Sequence, residues 1–215
     1  MKHVALTLNG TKALIGQQAQ SMRTAIAANG YEAANGDAAP FHVNTNDLPA
    51  AAPGAGVLGD TRISTPTGPC RIDALAPGDT VLDIHGNAAQ ILHVLTASAP
   101  RDAFFLRAPY FGLDHDAVMG ANQRIVVASD VAEYLFGEEQ VMVPVWALCD
   151  ARKVQHYETR STDQLFQLQL NTAAPVKIGN CAIAALHKHR ATEGRVLSDE
   201  EARCFAAEHV IGFQN

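Results

Sequence analysis

Thiols are the most reactive side chains in this chain of 215 residues, and their spacing limits the chemistry they could support. No two of the four form a Cys-x-x-Cys pair, which argues against a structural zinc site. Scattered cysteines in a chain of this length are most often small buried apolar groups, so we expect neither disulfides nor nucleophiles. The four are Cys70, Cys149, Cys181 and Cys204.

Histidines and acids form further groups that could bind a metal or transfer protons. Asp114-His115-Asp116 are adjacent, so on an extended segment at most two of the side chains share a side. In His187-Lys188-His189-Arg190, two histidines would share one face of a strand, although a basic surface cluster is the simpler interpretation. Glu138-Glu139 does not predict a paired-carboxylate site, because no further acid can be placed at a workable distance from it. Pairing Cys70 with His93 as nucleophile and base rests on residue type alone. We predict no metal and no cofactor.

The elements that would position these groups are mostly short strands. Thr61-Arg62-Ile63-Ser64-Thr65 and Cys70-Arg71-Ile72 flank a Pro/Gly turn and predict a hairpin. Residues 165–170 alternate apolar and polar, which predicts a half-buried strand. Ser198 and Glu201 have the spacing of a capping box and predict a short C-terminal helix. Turns at intervals of about 8–12 residues from Val57 onward are typical of a mostly β body.

The first 55 residues differ in composition from the rest. Alanine, asparagine and glycine dominate from residue 27 to 56 and indicate a linker, while residues 12–28 have apolar residues at helical spacing. We therefore predict a partly linker-like extension over 1–55, a β domain over 56–205 and a tail over 206–215.

Composition excludes some function classes. With 47% hydrophobic residues the chain can form a full core, and a net charge of -6 without a basic stripe argues against nucleic-acid binding. No apolar run reaches the roughly 18 residues of a membrane span, and the N-terminus lacks a continuous signal-peptide core. Cytoplasmic location is the default prediction, and export by a non-classical route stays compatible with the sequence. No partner is identifiable, although a protein partner would fit.

Several motifs between Thr61 and Asp79 occur in an order that one known protein family shares. The first block of that family runs Cys-aromatic-x-x-Gly-Thr-x-Ile, then a glycine turn, then acidic-x-Leu-x-Pro-Gly-Asp. Thr61-Arg62-Ile63, Gly68-Pro69, Asp73-Ala74-Leu75 and Pro77-Gly78-Asp79 match it in order and spacing, whereas Asp60 replaces the block's glycine. The chain thus resembles the bacterial family of Hint domains, the hedgehog/intein self-processing modules.

The resemblance extends over about residues 57–205. Residues 107–127 match the segment with the core Ser-Pro-x-His-Arg, residues 133–144 match a Leu-Phe-Gly-acidic and Val-Pro run, and residues 196–203 match the closing segment. The resemblance implies a mostly β flattened horseshoe of two related subdomains with a short C-terminal helix. It also implies an acyl shift, in which a Cys or Ser heading the domain attacks the preceding carbonyl and a histidine protonates the amide nitrogen.

Polar positions of that processing site are replaced in this chain. The nucleophile position, counted back from Thr61, is Gly56, which has no side chain. In Gly120-Ala121-Asn122-Gln123, which matches Ser-Pro-x-His, Gln123 replaces the histidine, and an amide is not a general acid near neutral pH. Residues 145–148 and 171–174 lack the polar residues of two further family motifs. We interpret Gly59, Asp60 and Thr61 as framework residues, note Asn122 as a further residue of the family motifs, and name no catalytic residue.

These replacements favour a non-catalytic structural or binding module, so we lean against enzymatic activity. Two alternatives stay open: self-cleavage through a non-standard nucleophile such as Cys70 or Asp60, and an unrelated β-rich ligand-binding protein with a chance likeness. Asn180-Cys181 has the residue types of an intein's downstream splice junction, but Gly179 stands where an assisting histidine is usual. We expect Cys181 to be a structural thiol.

Overall fold

The computed structural model describes residues 53–187 and 193–211. The predicted helix over residues 12–28, the first 52 residues of the predicted extension and residues 188–190 of the histidine cluster lie outside the described residues.

The described chain is mostly β, as predicted, with a helix near its C-terminal end. The strands are β1 (Val57–Leu58), β2 (Arg62–Thr65), β3 (Gly68–Arg71), β4 (Thr80–Leu82), β5 (Ala88–Ser98), β6 (Ala103–Leu106), β7 (Ala117–Gly120), β8 (Arg124–Ala128), β9 (Gln140–Pro144), β10 (Val154–Tyr157), β11 (Gln164–Leu170), β12 (Val176–Ile178), β13 (Cys181–Ile183), β14 (Leu186–His187) and β15 (Arg195–Val196). The α-helices are α1 (Asp130–Phe136) and α2 (Asp199–Ile211), and short 3-10 helices span Ile72–Ala74, Tyr110–Gly112 and Val145–Leu148. Helix α2 passes through residue 206, where the predicted tail begins.

The strands of the described residues form three sheets. One has eight strands in the order β10-β6-β7-β1-β11-β5-β4, with β14 beside β11. A second has the order β12-β13-β8-β9-β15, and β2 with β3 forms the third. Strand β1 has two residues, and its Val57 lies opposite Met119 of β7 and Phe166 of β11. This short strand therefore joins the two halves of the largest sheet.

The predicted hairpin and the predicted capping box are both present. Strands β2 and β3 pair from Arg62 opposite Arg71 to Thr65 opposite Gly68. At α2 the capping is reciprocal: the N–H of Glu201 donates to Ser198 Oγ at 3.3 Å, and the N–H of Ser198 donates to Glu201 Oε2 at 2.8 Å. Each device satisfies backbone groups that would otherwise lack partners at a turn or a helix start.

Strand β11 was correctly predicted, but its expected half-burial is wrong. Leu165, Leu168 and Leu170 are buried, and so are Gln167 and Gln169 on the polar positions of the alternation. Both edges of β11 are paired, by β1 and β5, and its polar face lies inside the molecule. Side chains from all three sheets and α2 build the surrounding core, including Ile63, Ile91, Leu106, Met119, Ile125, Val143, Leu170 and Phe205.

Candidate functional site

The chain enters the largest sheet through residues 53–56, here called the junction segment. This segment leads directly into β1, and Ala55 and Gly56 within it are buried. Its last peptide bond, between Ala55 and Gly56, is the one that the resemblance places before the nucleophile position. The groups around this bond therefore determine what chemistry the site can support.

Five hydrogen bonds hold the junction segment. The backbone N–H of Gly120 donates to Gly56 O at 2.9 Å, and the backbone N–H of Asn122 donates to Gly54 O at 2.9 Å. Asn122 Nδ2 also donates to Pro53 O at 2.9 Å. The remaining two bonds come from Gln123 and Gln167 and reach the Ala55–Gly56 peptide itself. The segment is thus bound at every residue.

Gln123, predicted to occupy the family's histidine position, contacts the predicted nucleophile position directly. Its Oε1 accepts the backbone N–H of Gly56 at 2.9 Å, and its side chain is 4% exposed. Its Nε2 donates to Arg124 O and Ala184 O, each at 3.0 Å. Because both carbonyls need a donor, the amide group is oriented with its oxygen towards Gly56.

Gln167 is the site residue that the sequence analysis missed. Its Nε2 donates to Ala55 O at 2.8 Å, 112 residues away in sequence, and the side chain is 8% exposed. A polar residue at an alternating position of a strand ordinarily faces solvent, so its identity gives no sign of this contact. The peptide bond between Ala55 and Gly56 is therefore held at its oxygen by one glutamine and at its nitrogen by another.

The site has no room for a side chain at the nucleophile position. A Cβ on Gly56 would lie 2.9 Å from Phe166 O, 3.0 Å from Leu165 Cβ and 3.2 Å from Gln167 Cγ, and the backbone φ of +117° suits glycine alone. Gly120 is equally constrained, because a Cβ there would overlap Gly54 O. These close approaches fill the space that a reactive side chain would need.

The remaining family-motif residues, Thr61, Asp60 and Asn122, occupy different environments. Thr61 is buried; its N–H donates to Leu58 O at 3.0 Å and its carbonyl accepts from Ile72 N at 2.9 Å. Its Oγ1 has no hydrogen-bond partner among the described residues. Asp60 is exposed in a turn, while the Ala55–Gly56 bond is buried. Asn122 is exposed and contacts the junction segment through the two bonds given above.

The other candidates of the sequence analysis are not brought to the junction segment by any hydrogen bond of the described residues. Asn180 lies with Gly179 in the two-residue turn of the β12–β13 hairpin, where Ile178 pairs with Cys181. Cys70 lies on β3 and His93 on β5, in different sheets. An exposed stretch before β7 contains Asp114, His115 and Asp116. A second exposed stretch, between α1 and β9, contains Glu138 and Glu139. His187 is the last residue of β14.

Burial disfavours the thiolate form of one cysteine. Loss of solvent around Cys181 raises the pKa of its thiol to about 12, because the thiolate would be poorly solvated there. Its Sγ lies 3.9 Å from Val126 O and 3.7 Å from Ala182 O. The structural role predicted for Cys181 agrees with this environment.

Residues 53–187 and 193–211 carry neither a cluster of metal-ligating side chains nor a helix suited to a membrane crossing. In that part of the chain, no three His, Cys, Asp or Glu side chains are grouped so that they could hold a metal ion. No helix among the same residues combines the length and apolar character that a membrane crossing requires.

Comparison with known proteins places the chain in a family. The family model of the Hint domain matches residues 56–190, which is more than half of the chain, and the chain belongs to the Hint domain family. Its mostly β fold is therefore a Hint-type fold, and the alternative of a chance likeness is wrong. No curated protein matches the sequence significantly.

Similar solved structures are inteins and intein-like domains. A bacterial intein-like domain from Clostridium thermocellum is 14% identical, with 62% of this chain and 99% of that chain covered and a TM-score of 0.45. The MchDnaB-1 intein is 14% identical, with 60% and 98% covered and a TM-score of 0.40. The gp41-1 intein is 12% identical, with 61% and 98% covered and a TM-score of 0.41.

Proposed function

We propose that this Hint domain does not process itself and acts as a non-catalytic structural or binding module that keeps its N-terminal extension attached. The observation that carries the proposal is the hydrogen bonding of one peptide unit. Gln167 donates to Ala55 O, and Gln123 accepts the N–H of Gly56. This unit is the bond that the self-processing chemistry of the family would break.

The direction of the Gln123 hydrogen bond argues against cleavage. An acyl shift at this bond needs a proton delivered to the Gly56 nitrogen as that nitrogen leaves. Gln123 presents an oxygen acceptor to it, and the Nε2 of Gln123 donates to Arg124 O and Ala184 O instead. A side-chain amide also has no proton to give near neutral pH. Gln123 therefore accepts the Gly56 N–H and does not supply a proton to the Gly56 nitrogen.

The Gln167 hydrogen bond fixes the Ala55 carbonyl, but no nucleophile accompanies it at position 56. A donor at a scissile carbonyl accelerates acyl transfer by stabilising the oxyanion that forms after nucleophilic attack. Gln167 Nε2 is such a donor on Ala55 O. Gly56 offers no attacking atom, and its surroundings leave no space for one. The donor therefore fixes the carbonyl and holds the junction segment beside β11.

Intact mass spectrometry of the full chain tests the proposal. We expect one species at 22.9 kDa after prolonged incubation at neutral pH, with and without added dithiothreitol or hydroxylamine, which capture thioesters and esters. A break between Ala55 and Gly56 would contradict the proposal. Should such a break appear, Asp60→Asn and Cys70→Ser would show whether either residue of the self-cleaving alternative supplies the nucleophile.

A restored pair of catalytic residues gives a sharper test. The double variant Gly56→Cys with Gln123→His recreates the family's residue types, and Gln123→His alone is its matched control. Because the Cβ at position 56 would meet the backbone oxygen of Phe166, we expect the double variant to be destabilised and to remain uncleaved. Thiol-dependent release of the extension by a folded double variant would mean that the site has retained a productive alignment.

A further inference from the structure

An open groove lies away from the junction segment and shares no residue with the groups that hold it. It is lined by β8, β13 and the 3-10 helix at Tyr110–Gly112, and its volume is about 780 Å³. Ligand sites in proteins occupy roughly 300–1,000 Å³ and combine apolar walls with a few polar groups. The groove has that size, and its apolar walls include Phe111, Val126 and Ala182.

The groove exists because β13 pairs with β8 over only part of its length. Strand β9 pairs with every residue of β8, whereas β13 pairs with it through Ile125 and Ile183 alone in the described chain. The other end of β13 is held elsewhere, since the N–H of Asn180 donates to Gly112 O at 2.8 Å. This contact is close, because a Cβ on Gly112 would lie 2.9 Å from the Asn180 carbonyl. The two strands therefore separate towards the Ala128 end of β8.

This separation leaves backbone groups of β8 facing the groove. Successive residues of a strand direct their N–H and C=O groups to alternate neighbours. The carbonyl of Arg124 accepts the N–H of Ala184 at 2.9 Å, so Val126 and Ala128 also direct their groups to the β13 side. Val126 O lies 3.9 Å from Cys181 Sγ, which is a long contact with a weak donor. Among the described residues, neither the N–H nor the C=O of Ala128 has a hydrogen-bond partner outside the β8–β9 pairing.

The groove does not require a charged group in its occupant. Among the described lining residues the charged one is Lys153, and its charge already acts on the Asp150 carboxylate. Its ammonium also lies 5.4 Å from the centroid of the Tyr110 ring, within the range of a cation–π contact. The other polar side chains of the lining are the exposed amides of Gln140 and Asn180. Side-chain amides and an unpaired strand edge are complementary to the N–H and C=O groups of a peptide.

We propose that this groove binds an uncharged peptide segment in an extended conformation, which adds to the edge of β8 beside Val126 and Ala128. The main chain of the peptide hydrogen-bonds to the N–H and C=O of Ala128, and one of its apolar side chains packs against Phe111. At about 3.3 Å per residue, the edge from residue 126 to 128 accommodates a peptide stretch of about three residues. The site is independent of the proposed function, because none of its lining residues takes part in holding the Ala55–Gly56 bond.

NMR titration of the ¹⁵N-labelled full chain with the blocked peptide acetyl-Thr-Phe-Thr-amide tests the proposal. We expect one peptide to bind per chain and to slow the hydrogen exchange of the Ala128 amide. Two isomers serve as controls, one N-methylated at the phenylalanine and one at both threonines. Because successive N–H groups of an extended peptide point to opposite sides, one isomer should lose affinity about fivefold or more and the other should retain it. Equal affinity of both isomers and the parent peptide would overturn the proposal, since apolar burial alone would then account for binding.

A variant of the protein tests the same edge from the other side. Ala128→Pro removes an N–H that faces the groove and leaves the hydrogen bonds between β8 and β9 in place, so the folded variant should bind the peptide about fivefold or more weakly. Ala128→Ser keeps the N–H and is the matched control, with unchanged affinity. Circular dichroism confirms that each variant is folded.

Other occupants of the edge have their own signatures. Protection of the Ala128 amide in the peptide-free monomer would mean that the chain itself covers the edge, and a dimer in analytical ultracentrifugation that Ala128→Pro abolishes would mean that a second copy does. Either result would overturn the proposal. Unchanged affinity of a folded Ala128→Pro variant, or no shift of the Ala128 signal at peptide concentrations of about 1 mM, would overturn it as well.

Discussion

The junction segment and the groove show opposite ways of using polar groups and space. At the junction segment every residue is hydrogen-bonded, and a Cβ on Gly56 or Gly120 would meet backbone atoms at once. The groove has a volume of about 780 Å³ and is lined by aromatic rings, amides and one ammonium. The position at which the resemblance places the family's chemistry is filled by the chain itself, while open space lies elsewhere. Family membership alone therefore does not show where such a domain has open space.

The largest effect is expected from filling the space at the nucleophile position. Gly56→Ala should lower the free energy of unfolding by about 3 kcal/mol, because backbone strain and crowding add. Gly68→Ala is the matched control: it has the same φ of +117°, but a Cβ there meets nothing within 4 Å. It should cost only about 1–2 kcal/mol. Urea denaturation of both variants measures the difference, and equal losses would contradict the crowding described at Gly56.

The next effect compares two buried glutamines. Gln123→Leu leaves the Gly56 N–H and two backbone carbonyls without their partners and should cost about 2–4 kcal/mol. Gln169 is 1% exposed and its Oε1 has no hydrogen-bond partner among the described residues. Gln169→Leu should therefore cost less than about 1 kcal/mol. Chemical denaturation distinguishes the two variants. A Gln123→Leu variant as stable as the parent would contradict the role of Gln123 in holding the junction segment.

A pH-dependent effect is expected from the thiol in the groove wall. Burial raises the pKa of Cys181 to about 12 from an ordinary value of 9.0, so the unfolded chain releases this proton first. The contribution of Cys181 to stability is complete below pH 9 and is lost as the pH rises from 9 through 12. Cys181→Ala should flatten this part of the stability profile. In the native protein Cys181 should resist alkylation at pH 8, while the exposed Cys204 reacts; equal alkylation rates would contradict the burial of Cys181.

The smallest effect is expected in the groove. Ala128→Leu adds apolar volume to an exposed position beside open space, so the unfolding free energy should change by no more than about 0.5 kcal/mol. Gly120→Ala, which adds a single methyl group at the junction, should be much more disruptive because its Cβ would overlap Gly54 O. Thermal melting of Ala128→Leu and Gly120→Ala measures the difference in stability between the two variants. A larger loss from Ala128→Leu would show that the groove is packed in solution.

Local patterns predicted the elements, and long-range pairing determined the site. The β2–β3 hairpin and the Ser198–Glu201 capping box depend on neighbours in sequence, which is why they were predictable. The importance of Gly56 and Gln123 came from a family motif. The contact of Gln167 with Ala55 spans 112 residues and depends on the position of β11 in its sheet. Alternation identifies a strand but does not show that its polar face is also covered.

Strand β1 has a consequence for the order in which the domain is completed during synthesis. The ribosome makes Val57 early, yet one neighbour of this residue, Met119, emerges much later, and the other, Phe166, later still. A nascent chain that stops short of β11 therefore lacks one of the two strands that pair with β1 and the donor to Ala55 O. The junction segment can form all of its hydrogen bonds only after Gln167 has left the exit tunnel, so this part of the fold is completed late in the synthesis of the domain.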